Sequence, residues 1–231
     1  MAVSIDTVYQ KVLAIANKEQ RGYITPQEFN LFANQAQMDI FEQYFYDINQ
    51  FNRIPGNHTE YSDMLALLEE KISIFKSQVS LNYNGTVFQN PQQQNLYRLG
   101  IVLHKGRELQ RVGYAELFQI SKSPLTKPTE LYPVFYERAD GLLVKPKTIT
   151  QRVICTYIKK PAKAVWGYSV IGETALYDAT EDKSQNFELH VSEEKNLVLK
   201  ILALAGITLQ DPGVYQIATA EDQKNIQQQK L

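Results

Sequence analysis

Apolar positions in the first third of the chain recur at steps of three and four. Ile5, Val8, Val12 and Ile15 place one stripe on a first helix, with Ser4 as its N-cap. Thr25-Pro26-Gln27-Glu28 forms a capping box with proline at the first helical position. Behind it Phe29, Phe32, Ala36, Ile40, Tyr44 and Ile48 follow one face of a long second helix. A third helix is predicted over 60–78, with Leu65, Leu68, Ile72, Phe75 and Val79 as its stripe. From residue 83 to 95 Asn, Gln, Gly and Pro dominate and predict a loop, after which the period becomes two. Segments 98–103 and 108–112 flank Lys105-Gly106, and segments 133–137 and 142–145 flank Ala139-Asp140-Gly141, so two hairpins are predicted. A short helix over 114–121, ended by Ser123-Pro124, lies between them, and 153–158 alternates as a central strand. Helical spacing returns behind Ser192 with Leu197, Val198, Ile201, Leu202, Leu204 and Ala205, terminated by Gly206, and Asp211-Pro212 opens one more helix through Val214, Ile217 and Ala218.

These patterns predict an α+β protein. A helical bundle is built from both chain ends, residues 1–80 and 186–221, and a small antiparallel β module, residues 81–185, is inserted in it. Residues 222–231 form a C-terminal tail rich in Gln and Lys, with Ile226 and Leu231 its only large apolar anchors. So little apolar area does not offset the entropy of ordering the backbone, and a mobile tail that orders against a neighbour is expected.

Charge sharpens the division. Residues 1–97 hold 6 Lys+Arg against 10 Asp+Glu, residues 98–163 hold 13 against 5, and residues 164–231 hold 5 against 10, within a total of −1. Opposite potentials on one molecule favour head-to-tail self-association or a basic surface that meets a polyanion. Lys105, Arg107, Arg111, Lys145, Lys147, Lys159, Lys160 and Lys163 carry much of the positive charge. Three readings of them stay open: a path for a nucleic-acid backbone, an interface with the acidic helices of a neighbouring copy, or a solvated charged face.

Candidate chemistry adds little. Residues 17–28 match a calcium loop at Gly22, Ile24 and Glu28, but Arg21 falls where a ligand oxygen is required, and the capping box already accounts for Thr25 and Glu28. Three dispersed histidines, His58, His104 and His190, offer no converging ligand set. The acidic group around Glu188, Glu193 and Glu194 reads as a strand-to-helix junction. No phosphate loop, nucleophile elbow or zinc-hydrolase pattern occurs, so neither enzyme activity nor a metal or other cofactor is expected. The single Cys155 excludes an intrachain disulfide. The chain has no run of eighteen apolar residues and no signal-peptide pattern at its start, which predicts a soluble protein without a membrane partner.

Four stretches together resemble a family of tailed-phage virion proteins, including those of crAss-like and marine short-tailed phages, that sit at the head-to-tail junction. They are Tyr23-Ile24-Thr25-Pro26-Gln27-Glu28-Phe29-Asn30; Ser123-Pro124-Leu125-Thr126-Lys127-Pro128-Thr129; Lys160-Pro161 with Trp166-Gly167-Tyr168; and Phe187-Glu188-Leu189-His190 before Ser192. The resemblance implies a structural connector or adaptor subunit, made in the host bacterial cytoplasm and built into the virion. Copies of the chain, expected as twelve, would form a ring against the portal or a neighbouring ring protein and around packaged DNA, which it would contact without sequence specificity. Trp166, Tyr168, Ile226 and Leu231 are then the candidates for partner docking. The competing expectation is a nucleic-acid-binding or packaging-associated phage protein that forms no ring.

Overall fold

A computed structural model of the chain describes residues 2–18, 24–51, 58–90, 95–172, 174–180, 183–208, 220 and 223. The chain divides into two compact units: Met1–Ile74 together with Pro161–Leu231, and, inserted in that sequence, Phe75–Lys160. Among the described residues there are five α-helices and thirteen strands in four sheets, 42% helix and 30% strand. The expected helical bundle with one small antiparallel module is thereby corrected. Strands occur in both units, and one strand pair is parallel. Residues 75–80 fall in the inserted unit, and residues 161–185 fall in the discontinuous one.

The discontinuous unit opens with β1 (Ala2–Val3) and α1 (Ile5–Lys18). Ser4 Oγ accepts from the Thr7 amide at 3.4 Å, and Asn186 Oδ1 accepts from the Ile5 amide at 3.0 Å, so two of the helix's orphan donors are satisfied. Ile5, Val8, Tyr9 and Val12 are buried, whereas Ile15, expected on the same stripe, is exposed. Helix α2 (Pro26–Phe51) starts at the capping box: Glu28 N donates to Thr25 Oγ1 at 3.3 Å, and Thr25 N donates to Glu28 Oε2 at 2.9 Å. Its buried side carries Phe29, Ala33, Ala36, Ile40, Phe41 and Tyr44. Helix α3 (His58–Ser73) buries Leu68 and Ile72 and stops short of residue 78. The reason is visible in the next segment, where Lys76, Gln78 and Ser80 are exposed and alternate with partly buried Ser77 and Val79, a period of two that serves a strand.

The inserted unit contains β2 (Lys76–Ser80), β3 (Asn82–Tyr83), β4 (Phe88–Gln89), β5 (Leu96–His104), β6 (Arg107–Glu108), β7 (Gln110–Arg111), α4 (Tyr114–Lys122), β8 (Val134–Arg138), β9 (Gly141–Lys145) and β10 (Val153–Lys159). Two sheets result, ordered β2-β10-β5-β6 and β3-β4-β9-β8-β7. They share one core, in which Phe88, Val102, Leu109, Phe135, Val153 and Cys155 are all buried. The chain passes from the first sheet to the second at Leu81, whose amide donates to Val153 at 2.8 Å, and again at Leu109, whose amide donates to Val102 at 2.9 Å. Both crossing residues are apolar and buried, so each change of sheet adds a core side chain. The Lys105-Gly106 turn has φ 50° and 78°, the left-handed pair that matches hairpin twist and that glycine adopts without penalty. Helix α4 lays Leu117 against Val112 and Val134 in a separate small cluster.

The chain then re-enters the discontinuous unit. After an extended stretch come β11 (Tyr168–Ile171), β12 (Thr174–Tyr177), β13 (Phe187–His190), a 3-10 turn at Val191–Glu193, and α5 (Glu194–Thr208). Strand β13 pairs with β1, and among the described residues β11 pairs only with β12. Leu197, Val198, Ile201, Leu202 and Ala205 bury the inner side of α5, which continues through Gly206 rather than ending there. Glu193, read from sequence as part of an acidic strand-to-helix junction, is buried. It pairs with Lys71 Nζ at 2.6 Å and accepts from Asn196 Nδ2 at 2.7 Å. Burial first, and the Glu193 carboxylate second, push the nearby Tyr44 phenol well above its ordinary pKa. The helix expected after Asp211-Pro212 lies outside the described residues.

Candidate interaction surfaces

Three amide side chains on α2 clasp the extended stretch 162–166. Asn30, Asn34 and Gln37 stand four and three residues apart and so share one helix face, while residues 162, 164 and 166 of an extended chain share one side. Trp166 N donates to Asn30 Oδ1 at 2.8 Å, and Asn30 Nδ2 donates to Trp166 O at 3.3 Å. Asn34 makes the same reciprocal pair with Ala164, at 3.0 and 2.8 Å. Gln37 Nε2 donates to Ala162 O at 2.7 Å and Gln37 Oε1 accepts from Glu188 N at 3.2 Å, while the Ala162 amide donates to Glu188 Oε2 at 2.9 Å. Side-chain amides thus do for this stretch what a neighbouring strand does elsewhere. Asn30, Trp166 and Glu188 come from three separate stretches of the chain and are brought together here.

The clasp fixes Trp166. The residue is only 2% exposed; its ring is 4.3 Å from that of Tyr9 and close to parallel with Tyr168 and Tyr177 at 5.8 and 5.7 Å, and Nε1 donates to Asp6 Oδ1 at 3.0 Å. Expected as a docking side chain, Trp166 instead anchors the base of the β11–β12 hairpin, with Tyr168 partly buried on it. At Gly167 a Cβ would stand 2.5 Å from the Lys183 carbonyl oxygen, so only glycine fits the crossing. Asp178 closes the base. Lys183 Nζ donates to it at 2.6 Å, Ser169 Oγ at 3.1 Å and the Thr180 amide at 3.2 Å, and the lysine contact leads in holding its carboxyl far below the ordinary carboxylate range.

Beyond that base the two strands, joined in sequence by Gly172-Glu173, carry exposed apolar side chains. Val170 is 63% exposed, Ile171 67% and Leu176 48%, and none of the eight strand residues of β11 and β12 is charged. Sequence reasoning missed this surface because apolar side chains occupy both faces, which leaves no alternation to find. A second exposed group, Tyr114, Phe118, Leu125 and Tyr132, runs along α4 and the loop after it, and Lys122 Nζ sits 4.1 Å from the Phe118 ring centre.

The basic candidates do not converge on one patch. Lys105 and Arg107 lie at the β5–β6 turn, where His104 pairs with Val153, whereas Lys159 pairs with Leu96 at the other end of β10, about 20 Å away at the rise of a strand. Lys160 follows there and its amide donates to Asn95 at 2.8 Å. Arg111 is bound to Glu137 at 2.6 Å. Lys145 and Lys147 are close in sequence; burial, then the Lys147 charge, lowers the Lys145 pKa. Lys163 belongs to the discontinuous unit, exposed on the outer side of the clasped stretch. Ile226 and Leu231 lie outside the described residues, as does most of the calcium-like loop's glycine turn. What the structure gathers is net charge by unit: 13 Lys+Arg against 5 Asp+Glu within Phe75–Lys160, a surplus of +8, and 11 against 20 in the remainder, −9.

No helix among the described residues is long and apolar enough to cross a membrane. Compared with known proteins, the chain matches no protein-family model and no curated sequence.

Proposed function

We propose that the chain is a structural virion protein of a tailed bacteriophage, an adaptor subunit that docks to the portal or an adjacent ring around the DNA channel. The observation that carries the assembly part of this reading is the partition of charge into a +8 unit and a −9 unit along unit boundaries. Copies with such opposed units attract one another in a head-to-tail sense, and a heterologous contact of that kind closes into a ring when its rotation allows. The phage part rests on the resemblance of the four quoted stretches.

The +8 unit also favours the competing reading of a DNA-binding protein that forms no ring. Electron cryomicroscopy of the native particle separates the two: density for this chain as a closed ring at one vertex is expected. Binding of the isolated chain to duplex DNA with a steep log-linear salt dependence, together with no ring density, overturns the adaptor reading.

A further inference from the structure

We infer that the β11–β12 hairpin is an assembly arm whose occupant is the inserted unit of a second copy of this chain, received on the outer face of the β2-β10-β5 sheet. The inference rests on the self-assembly reading above and names its contact.

Three observations on the hairpin point outward. It forms a sheet of its own, so neither outer edge pairs with another described strand. Two-stranded hairpins are marginal in water and are stabilised by packing. Soluble proteins guard free edges with charges or proline, yet here the strand residues are uncharged and Val170, Ile171 and Leu176 stand open. The edge strand β2 shows the contrast, with Lys76 exposed and polar residues at three of its other four positions.

The receiving surface has the matching character. On β10, Val153, Cys155 and Tyr157 point into the core, so Ile154, Thr156 and Ile158 present the other face, partly buried. Ile101, 50% exposed, continues it on β5, where its amide donates to Thr156 Oγ1 at 2.9 Å. Ile158 pairs with Lys76 on one side and Arg98 on the other, both exposed, which makes this end of the strip basic, while Gln78 and Ser80 line the β2 side beside Thr156 and Ile154. The arm emerges from the −9 unit and the strip belongs to the +8 unit, so long-range attraction brings the two together and apolar burial holds them. Because arm and strip are different surfaces, the contact is heterologous: each copy gives one arm and accepts one.

The test uses the full chain with Ile171→Asp on the arm and Ile101→Asp on the strip, followed by sedimentation velocity over a concentration series at low and moderate salt, with circular dichroism to confirm folding. Wild type should self-associate, more strongly at low salt. Each variant should weaken association by about tenfold or more, because the contact would bury an unpaired carboxylate. An equimolar mixture of the two should form a one-to-one dimer that grows no further, since one intact arm and one intact strip remain between them. Should either aspartate unfold the chain, Ile171→Ser and Ile101→Ser are read in the same way. Association that neither variant alters overturns the arm while leaving self-assembly standing. A wild-type chain that stays monomeric throughout overturns both.

Discussion

The two units bury comparable side chains by different means. In the inserted unit, strand pairing satisfies the backbone and two sheets press their apolar faces together, so nearly every core residue is aliphatic, aromatic or the single cysteine. In the discontinuous unit much of the interior is fixed by polar groups: the amide clasp of α2 on 162–166, the Lys71–Glu193 pair, and Trp166 tied to Asp6. Apolar packing is non-directional and tolerates small errors, whereas a buried polar group costs free energy as soon as its partner is lost. The discontinuous unit should therefore be the more sensitive to polar substitutions, and the inserted unit to cavities.

The chain carries its own reporters for this contrast. Its one tryptophan, Trp166, lies in the discontinuous unit, and its one cysteine, Cys155, lies in the inserted one. The largest effect is expected for Phe135→Ala, which empties the centre of the inserted unit's core and should cost about 3–5 kcal/mol. Thiol labelling of Cys155 should accelerate accordingly while the Trp166 emission spectrum stays native. Burial pushes the Cys155 thiol up to about 11, so the folded chain keeps its proton at pH 8. The sign follows: stability from this group is complete below the unfolded thiol pKa of about 8.5 and is lost as pH rises toward 11.

Next in size is Lys71→Ala, which leaves the Glu193 carboxylate buried without its cation and should cost about 3 kcal/mol. Urea unfolding followed by Trp166 fluorescence should move to lower denaturant with Cys155 protection unchanged. If both probes shift together, the two units do not respond separately and the comparison fails. Gln37→Ala removes the partners of the Ala162 carbonyl and the Glu188 amide, an expected loss of about 2 kcal/mol read by the same fluorescence. Smallest is Thr25→Ala, about 1 kcal/mol, through the α2 cap. Hydrogen bonds from the Thr25 amide and then its hydroxyl hold the Glu28 carboxyl below its ordinary pKa. That contribution is present above the ordinary carboxylate range and disappears as pH falls through the lowered value. Thr25→Ala keeps the amide's bond and removes only the hydroxyl's, so acid unfolding of the wild type should be slightly steeper than that of the variant, and equal slopes would remove the hydroxyl from the account.

Much of this was legible in the sequence wherever a local rule acts alone. The capping box at Thr25, the Lys105-Gly106 and Ala139-Asp140 turns, the short α4 helix and the central place of β10 all follow from residue chemistry and period. Legibility failed where one pattern serves two structures. Val79 fits a helical stripe as well as it fits a strand, and only its pairing with Cys155 on β10 decides for the strand. The parallel β7–β8 pair leaves no pattern because β7 is two residues long. The clasp of Asn30, Asn34 and Gln37 left no local signal, since nothing near them in sequence shows that a distant stretch will cover them. For the candidate surfaces, the basic surplus was visible, but its dispersal over both ends of β10 was not. The aromatic character of Trp166 was visible too, and its burial was not, because burial depends on Tyr9 and Asp6 far away in the chain.

The clasp also bears on how freely this protein can change. Its amides hold residues 162, 164 and 166 by main-chain groups that every amino acid but proline possesses, and Gln185 holds residue 165 on the opposite edge in the same way, through main-chain bonds of 2.9 and 3.0 Å. The outward side chains, Lys163 and Val165, take no part in either set of bonds. Mutation can therefore drift at those two sites, altering what the surface displays without loosening the socket beneath, and a library built there would vary a face while the shape it sits on stays constant.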